Sequence, residues 1–315
     1  KQKTAYEISL GLVGSEMCIR DSLSGRVLKI AGGIYDVDTS DGLRRASLRG
    51  RVKQTDSRIV SVGDLVELES TSDEPRIAKL LPRKSALTRH GVAKRREQVI
   101  VANVDQVMVV AADRSPNPDI FMIDRLFALA TLSEIESCLV VNKIDLSDTF
   151  SHEIEVYEKV GFNIFRTSAH SGDGLEDLSK RLEGRITVLT GQSGVGKSSL
   201  LNVLIPGLDL RVGKISERKG RGRHTTVSSA LYPYPQGGYV ADTPGLQYVA
   251  LWNIDPSDVV DGFSEIAIIG QDCRFADCRH RSEPDCAVCQ NVENGNIETH
   301  RYKSYLALLS ESEDP

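Results

Sequence analysis

The chain has 315 residues, a formal net charge of −5, 40% hydrophobic and 26% charged residues. These are the proportions of a globular protein of two or three domains, and they exclude a mainly disordered chain. No apolar run reaches the ~18 residues of a membrane span, and the acidic balance excludes holding nucleic acid by bulk charge, leaving that task to local patches.

Residues 1–22, KQKTAYEISLGLVGSEMCIRDS, have no apolar signal region, no small-residue cleavage site and no clean period. Their AYEISLGLVGSEMCIRDS portion resembles a translated sequencing-adaptor read-through. The segment is read as non-native or disordered and set apart from the fold.

A first domain is expected over 23–85. GRVLKI, GIYDVDTSDG, RRASLRGRV, RIVSVGDLVELES and PRIAKLLPR alternate apolar and polar residues between turn signals. Five short strands suit a closed barrel, because closure removes exposed edges. Gly32-Gly33 and Val62-Gly63-Asp64 mark corners. An OB-type β-barrel is expected, with an SH3-like barrel as the rival. From Pro82 to Arg96 the chain carries Arg83, Lys84, Arg89, Lys94, Arg95 and Arg96 with no acid. This reads first as a solvated loop and second as a phosphate contact.

Over 86–252 strands and helices alternate. VDQVMVVAA is continuously apolar, as a strand buried on both faces should be. IFMIDRLFALATL has helical spacing at Ile120, Ile123, Leu126, Phe127 and Ala130. SCLVVNKID, NIFRTSA, ITVLTGQSGVGKS and GGYVADTPG each lead from a strand into a loop. The pattern predicts an α/β domain with a mostly parallel sheet. From 253 to 315 no strand is evident, and a mainly helical domain is expected, with a helix around Tyr302–Leu309 before an acidic end.

Gly191, Gln192, Ser193, Gly194, Val195, Gly196, Lys197 and Ser198 fit G-x-x-x-x-G-K-[ST], after a strand and before a helix. With Ser199 they form a candidate phosphate cradle, in which Lys197 meets the β- and γ-phosphates and Ser198 ligates Mg²⁺. Asn142, Lys143 and Asp145 of NKID supply the choice of base. A carboxylate at Asp145 can accept the N1–H and exocyclic amine of guanine, a donor pair adenine lacks. Asn142 braces the loop, and the Lys143 stem packs on the ring. Ser168 and Ala169 of TSA follow another strand, and the Ala169 N–H can reach guanine O6. In DTPG, Asp242 is placed to hold Mg²⁺ through water, and the Gly245 N–H to sense the γ-phosphate. Thr225 and Thr226 of GRGRHTT are candidates for the Mg²⁺ and γ-phosphate switch.

An ordinary small GTPase meets its phosphate motifs first and its base motifs last. Here NKID and TSA precede the P-loop, so one site can form only if the GTPase (G) domain is circularly permuted. The order NKID–TSA–GQSGVGKS–HTT–DTPG, with a barrel before and a Cys/His module after, resembles the RsgA (YjeQ) family of small ribosomal subunit biogenesis GTPases. GRVLKIAGGIYDV, ANVDQVMVV and IDRLFALA add to the likeness, which covers about residues 24–305. Val227 departs from a third Thr common in the family, leaving open which Thr binds Mg²⁺. The resemblance implies GTP hydrolysis in late maturation of the small subunit, rRNA contacts from barrel and metal module, and release on hydrolysis.

Four of the six Cys lie between Cys273 and Cys289, with His280 among them. Such clustering indicates a metal site in a reducing compartment, and the cytoplasm is the expected location. Cys273, Cys278 and His280, closed by Cys286 or Cys289, give the four ligands of a structural zinc site. The resemblance selects Cys286.

The expected enzyme is thus a GTPase with one structural Zn²⁺ and with Mg²⁺ carried by GTP. Its partners are the small ribosomal subunit, its rRNA and GTP/GDP; no membrane is involved, and a monomer is expected. A GTP-switched RNA-binding scaffold with incidental hydrolysis is the alternative. A P-loop enzyme acting on a small substrate lacks any further acid–base constellation. Leu246 follows DTPG where a Ras-like enzyme has its water-orienting Gln, so hydrolysis should be slow alone. His224, in a loop with Lys214, Arg218, Lys219, Arg221 and Arg223, is the candidate replacement once RNA orders that loop.

Overall fold

The computed structural model describes residues 23–48, 60–69, 75–90, 97–146, 149, 151–210, 229–243 and 254–313. Residues 1–22 lie outside them. β1 (Leu23–Ala31), β2 (Ile34–Thr39), β3 (Gly42–Leu48), β4 (Leu65–Glu69) and β5 (Arg76–Leu80) close into a barrel. Alternate residues point inward, so Val27, Tyr35, Val37, Ala46, Val66, Leu68 and Ile77 fill the interior. The order β1-β2-β3-β5-β4 separates the two expected barrels. β3 and β5 run parallel, Ser47 opposite Arg76 and Leu48 opposite Ile77. A meander would contain no parallel pair; the crossing connection is that of an OB-type barrel.

The cationic stretch after the barrel is not one loop. β6 (Ala86–His90) pairs antiparallel with β7 (Glu97–Ala102). Arg83 reaches back to the barrel, its Nε 2.6 Å from Oδ1 of the buried Asp64. A second guanidinium nitrogen lies 2.8 Å from Oδ2. Arg83 is therefore bound to a carboxylate, which removes it from the expected phosphate contact. Residues 91–96 lie outside the described residues.

β8 (Gln106–Ala112), β9 (Glu136–Asn142), β10 (Asn163–Arg166), β11 (Arg185–Gly191), β12 (Ala230–Pro233) and β13 (Gly238–Asp242) form a sheet ordered β10-β9-β8-β11-β13-β12. Every pair is parallel except β12–β13. On one face Val107, Val109 and Ala111 of β8 meet α1 (Ile120–Leu132) and α2 (His152–Lys159). On the other, Met108, Val110 and Ala112 meet α3 (Leu175–Leu182) and α4 (Lys197–Leu204). Burial on both faces accounts for the unbroken apolar run.

No strand occurs among the described residues beyond 253. α5 (Ser264–Gly270), α6 (Ala287–Glu293) and α7 (Thr299–Glu313) follow a short 3₁₀ turn at Val259–Gly262. Phe263, Ile266, Tyr305 and Leu308 join the apolar core of α1. The acidic end is itself docked, with Glu311 on Arg125 and Glu313 on Arg279 and Arg281.

Candidate nucleotide site and metal centre

All the nucleotide motifs within the described residues leave the carboxyl ends of parallel strands, where ligands of open α/β sheets bind. After β11, Gly191, Gly194 and Gly196 have φ of +142°, +84° and +98°. Successive N–H groups can converge on an anion in such a turn, and the first turn of α4, with Lys197, Ser198 and Ser199, adds its own. Lys197 curls over the loop, its Nζ 2.7 Å from the Gly191 carbonyl and 2.8 Å from that of Gln192. Val195 is buried, while Ser193 and Gly194 are exposed at the tip.

Asn142, only 2% exposed, joins three motifs. Its Nδ2 donates to the Val195 carbonyl at 2.8 Å, and its Oδ1 accepts the Ala169 N–H at 3.1 Å. The fit is close enough that a Cβ on Gly196 would lie 2.3 Å from Asn142 Nδ2. An Ala169 contact to guanine O6 must therefore share or leave its bond to Asn142. Asp145 is exposed on the 3₁₀ turn Ile144–Leu146. The fully buried Ser168 donates to its Oδ1 at 2.5 Å. The same hydroxyl accepts the N–H groups of His170 and Ser171 at 3.1 and 3.0 Å. Ser168 thus aims the carboxylate, a role the triplet TSA does not disclose by itself. Lys143, at φ +66°, extends its ammonium to the Ser115 carbonyl at 2.5 Å, and its Cε stands 3.9 Å from the Cβ position of Gly196. Ser115 carries no motif in the sequence.

Asp242 lies opposite Leu189 of the P-loop strand, so its backbone reaches the same end of the sheet. Among the described residues nothing bears on His224, Thr225, Thr226, Gly245 or Leu246, which all lie outside them, as does the basic loop around His224.

The sulfur atoms of Cys273, Cys278 and Cys286 and an imidazole nitrogen of His280 lie within 4.8 Å of one another. Cys273 and Cys286 sulfurs are 3.8 Å apart, and each is 3.5 Å from His280 Nδ1. A tetrahedral ion with Zn–S near 2.3 Å and Zn–N near 2.0–2.1 Å requires separations of about 3.8 and 3.5 Å. The donor set therefore fits an ion of that size. Burial lowers the His280 pKa and so favours the neutral, ligating imidazole. Cys289 stands apart from the four: its sulfur contacts the His280 carbonyl at 3.6 Å and the Tyr302 hydroxyl at 3.6 Å, and its N–H faces Cys286 sulfur at 3.5 Å. Gly270 leaves room for the imidazole, since a Cβ there would lie 2.9 Å from Nε2. Tyr302 and Tyr305 of α7 bond the His280 and Arg279 carbonyls at 2.6 and 3.0 Å, fixing the ligand loop.

Two family profiles match the chain, one described as RsgA GTPase over residues 80–252 and one as the RsgA N-terminal domain over 24–75. A small ribosomal subunit biogenesis GTPase RsgA of Gemmatimonas aurantiaca is 42% identical over 299 residues, covering 92% of this chain and 97% of that relative. Its counterpart from Moorella thermoacetica is 41% identical with the same coverage. Among solved structures, YjeQ from Thermotoga maritima superposes with a TM-score of 0.74 at 34% identity, covering 92% of this chain and 98% of that one. YloQ, described as a circularly permuted GTPase, superposes with a TM-score of 0.71 at 25% identity, covering 96% and 98%.

Proposed function

This chain belongs to the RsgA GTPase family, and we propose that it hydrolyses GTP to GDP and phosphate during late maturation of the small ribosomal subunit, contacting rRNA and leaving on hydrolysis. What most supports a guanine-nucleotide site is the Asn142 side chain, whose two ends tie the P-loop to the TSA loop beside Asp145. The sheet order brings the loops after β9, β10 and β11 to one end, and a buried amide that bonds to both of the other loops fixes their relative positions.

The roles follow from the chemistry. Asp145, aimed by Ser168, selects guanine, with Lys143 along the ring and Ala169 at its edge. Loop 191–196 and the start of α4 cradle the phosphates, and Lys197 moves from its own loop carbonyls onto the β- and γ-oxygens. Ser198 and Asp242 would hold the Mg²⁺ that travels with GTP and neutralises phosphate charge. Gly245, Thr225 and Thr226 sense the γ-phosphate. Cys273, Cys278, His280 and Cys286 hold one structural Zn²⁺, which leaves no open position for catalysis. The units are the barrel over 23–85, the permuted G domain over 86–252 and the metal domain over 253–315, acting as a monomer in the cytoplasm.

A Ras-type enzyme without its activating partner turns over at only about 10⁻⁴ s⁻¹. Leucine at 246 can neither donate nor accept, so the water must be oriented from elsewhere, and His224 is the nearest polar candidate. The test is GTP turnover with and without small ribosomal subunits. Stimulation of tenfold or more in the parent, lost in His224→Ala with GTP binding retained, is expected. Equal stimulation in both proteins removes His224 from the mechanism. No stimulation in the parent favours the scaffold reading instead.

A further inference from the structure

Resting on the reading of Asn142–Asp145 as the base-recognition loop, we propose that Arg301 is a positioning residue for guanine-nucleotide binding. From the metal-bearing domain it fixes, through Asp124 and Tyr157, the two loops that hold Lys143.

Arg301 of α7 is 0% exposed. It grips Glu265 of α5 with two nitrogens, at 2.7 and 3.1 Å, and Asp124 of α1 with a third, at 2.8 Å. Its guanidinium also lies over the Phe263 ring, 4.7 Å from the centroid. The same Asp124 oxygen accepts the Tyr157 hydroxyl of α2 at 2.7 Å, and the other has no hydrogen-bond partner among the described residues. One carboxylate atom thus gathers α1, α2 and α7. An apolar cluster could hold these helices together with less desolvation; a buried ionic node fixes their orientation instead.

Both G-domain helices at the node grow out of the loops around the base site. α1 is capped by Asp119, whose carboxylate accepts the Met122 N–H at 3.1 Å, just beyond Ser115, the acceptor for Lys143. α2 is preceded by Ser151, whose N–H donates to Asp113 Oδ1 at 2.9 Å. Loop 113–119 is thus tied twice, through Ser115 to Lys143 and through Asp113 to Ser151, and the helices α1 and α2 that start beside these ties are both clamped at Asp124. The route from metal domain to base is contiguous and packed, and it is distinct in sequence from the connection that follows DTPG. A metal domain displaced by a partner would loosen the base end directly.

The test uses full-length, metal-replete protein and fluorescent GDP and IDP, read by stopped flow. Tyr157→Phe removes one hydroxyl, and Arg301→Lys keeps the charge but loses the fork. Glu311→Ala, which removes the exposed Arg125 pair between the same two helices, is the control. Tyr157→Phe and Arg301→Lys should each raise the GDP dissociation rate at least fivefold and lower the preference for GDP over IDP at least threefold. Metal content should stay at one per chain, and Glu311→Ala should match the parent. Loss of general stability alone would not change the choice between two bases. Parental rates and preference in folded Tyr157→Phe overturn the proposal even if Arg301→Lys fails to fold, as does an equal change in Glu311→Ala. A parent that binds no guanine nucleotide overturns the site reading instead.

Discussion

In the proposed nucleotide site, Asp145 and Asn142 divide the work of base recognition between them. Asn142 has both ends of its amide committed to the protein, so it sets the loop geometry, while Asp145 is exposed and steadied at one oxygen by Ser168. On that proposal, specificity rests on the charge of Asp145. Replacing the carboxylate by an amide puts a donor where guanine also donates, and an unmet pair of this kind costs about 1–3 kcal/mol. Asp145→Asn should weaken GTP binding at least tenfold and make xanthosine triphosphate the better ligand, because the new amide complements the oxo group at C2. Competitive binding of the two nucleotides checks this, and undiminished GTP affinity would remove Asp145 from the site. The carboxylate was legible in NKID, a short motif at a strand end. Ser168's grip on it was not, because Ser168 lies on another strand's loop, |i−j| = 23. Arg301 was still less legible, since its partner Asp124 is 177 positions away.

Among elements, those with an internal period were readable and those defined by a partner were not. β8 and α1 announce themselves, one by burial on two faces and the other by its 3.6-residue spacing. β12 has four residues, ends in a proline and exists through its antiparallel pairing with β13. β6 was hidden by the cationic stretch around it, because charge at an edge says nothing about the neighbour that makes it a strand. The metal domain is the extreme case. α5 and α6 have seven residues each, too short to persist alone. On the proposed metal site, their register depends on four ligands and on the α7 tyrosines that bond the carbonyls of His280 and Arg279. Chelation should therefore melt residues 254–313 while nucleotide binding by the rest of the chain weakens without vanishing. Elemental analysis should return one zinc per chain, and Cys278→Ala should lower both the metal content and the thermal midpoint. Full occupancy in that variant would exclude Cys278 as a ligand.

At the scale of the molecule, barrel and metal domain both rest on the G domain. The barrel does so through Asp38, which accepts the Tyr239 hydroxyl at 2.8 Å, and the metal domain through the shared core of α1. The sheet order β10-β9-β8-β11-β13-β12 carries a further consequence, in the order of synthesis. The base-reading half leaves the translating ribosome first, and β8, with all seven residues buried in the finished fold, must wait for β11. The gap from Asn142, which completes β9, to Arg185, which opens β11, takes about 2–9 s at 5–20 residues per second. During that interval β8 has β9 on one side and a bare apolar edge on the other, the kind of edge that recruits foreign strands. A chain ending at Glu183 should therefore sediment as aggregate or be recovered bound to chaperone, and one ending at Thr243, with β11, β12 and β13 all in place, should be markedly more soluble. The permutation that routes the phosphate loops toward the metal domain leaves the nascent chain with its stickiest strand uncovered at mid-synthesis.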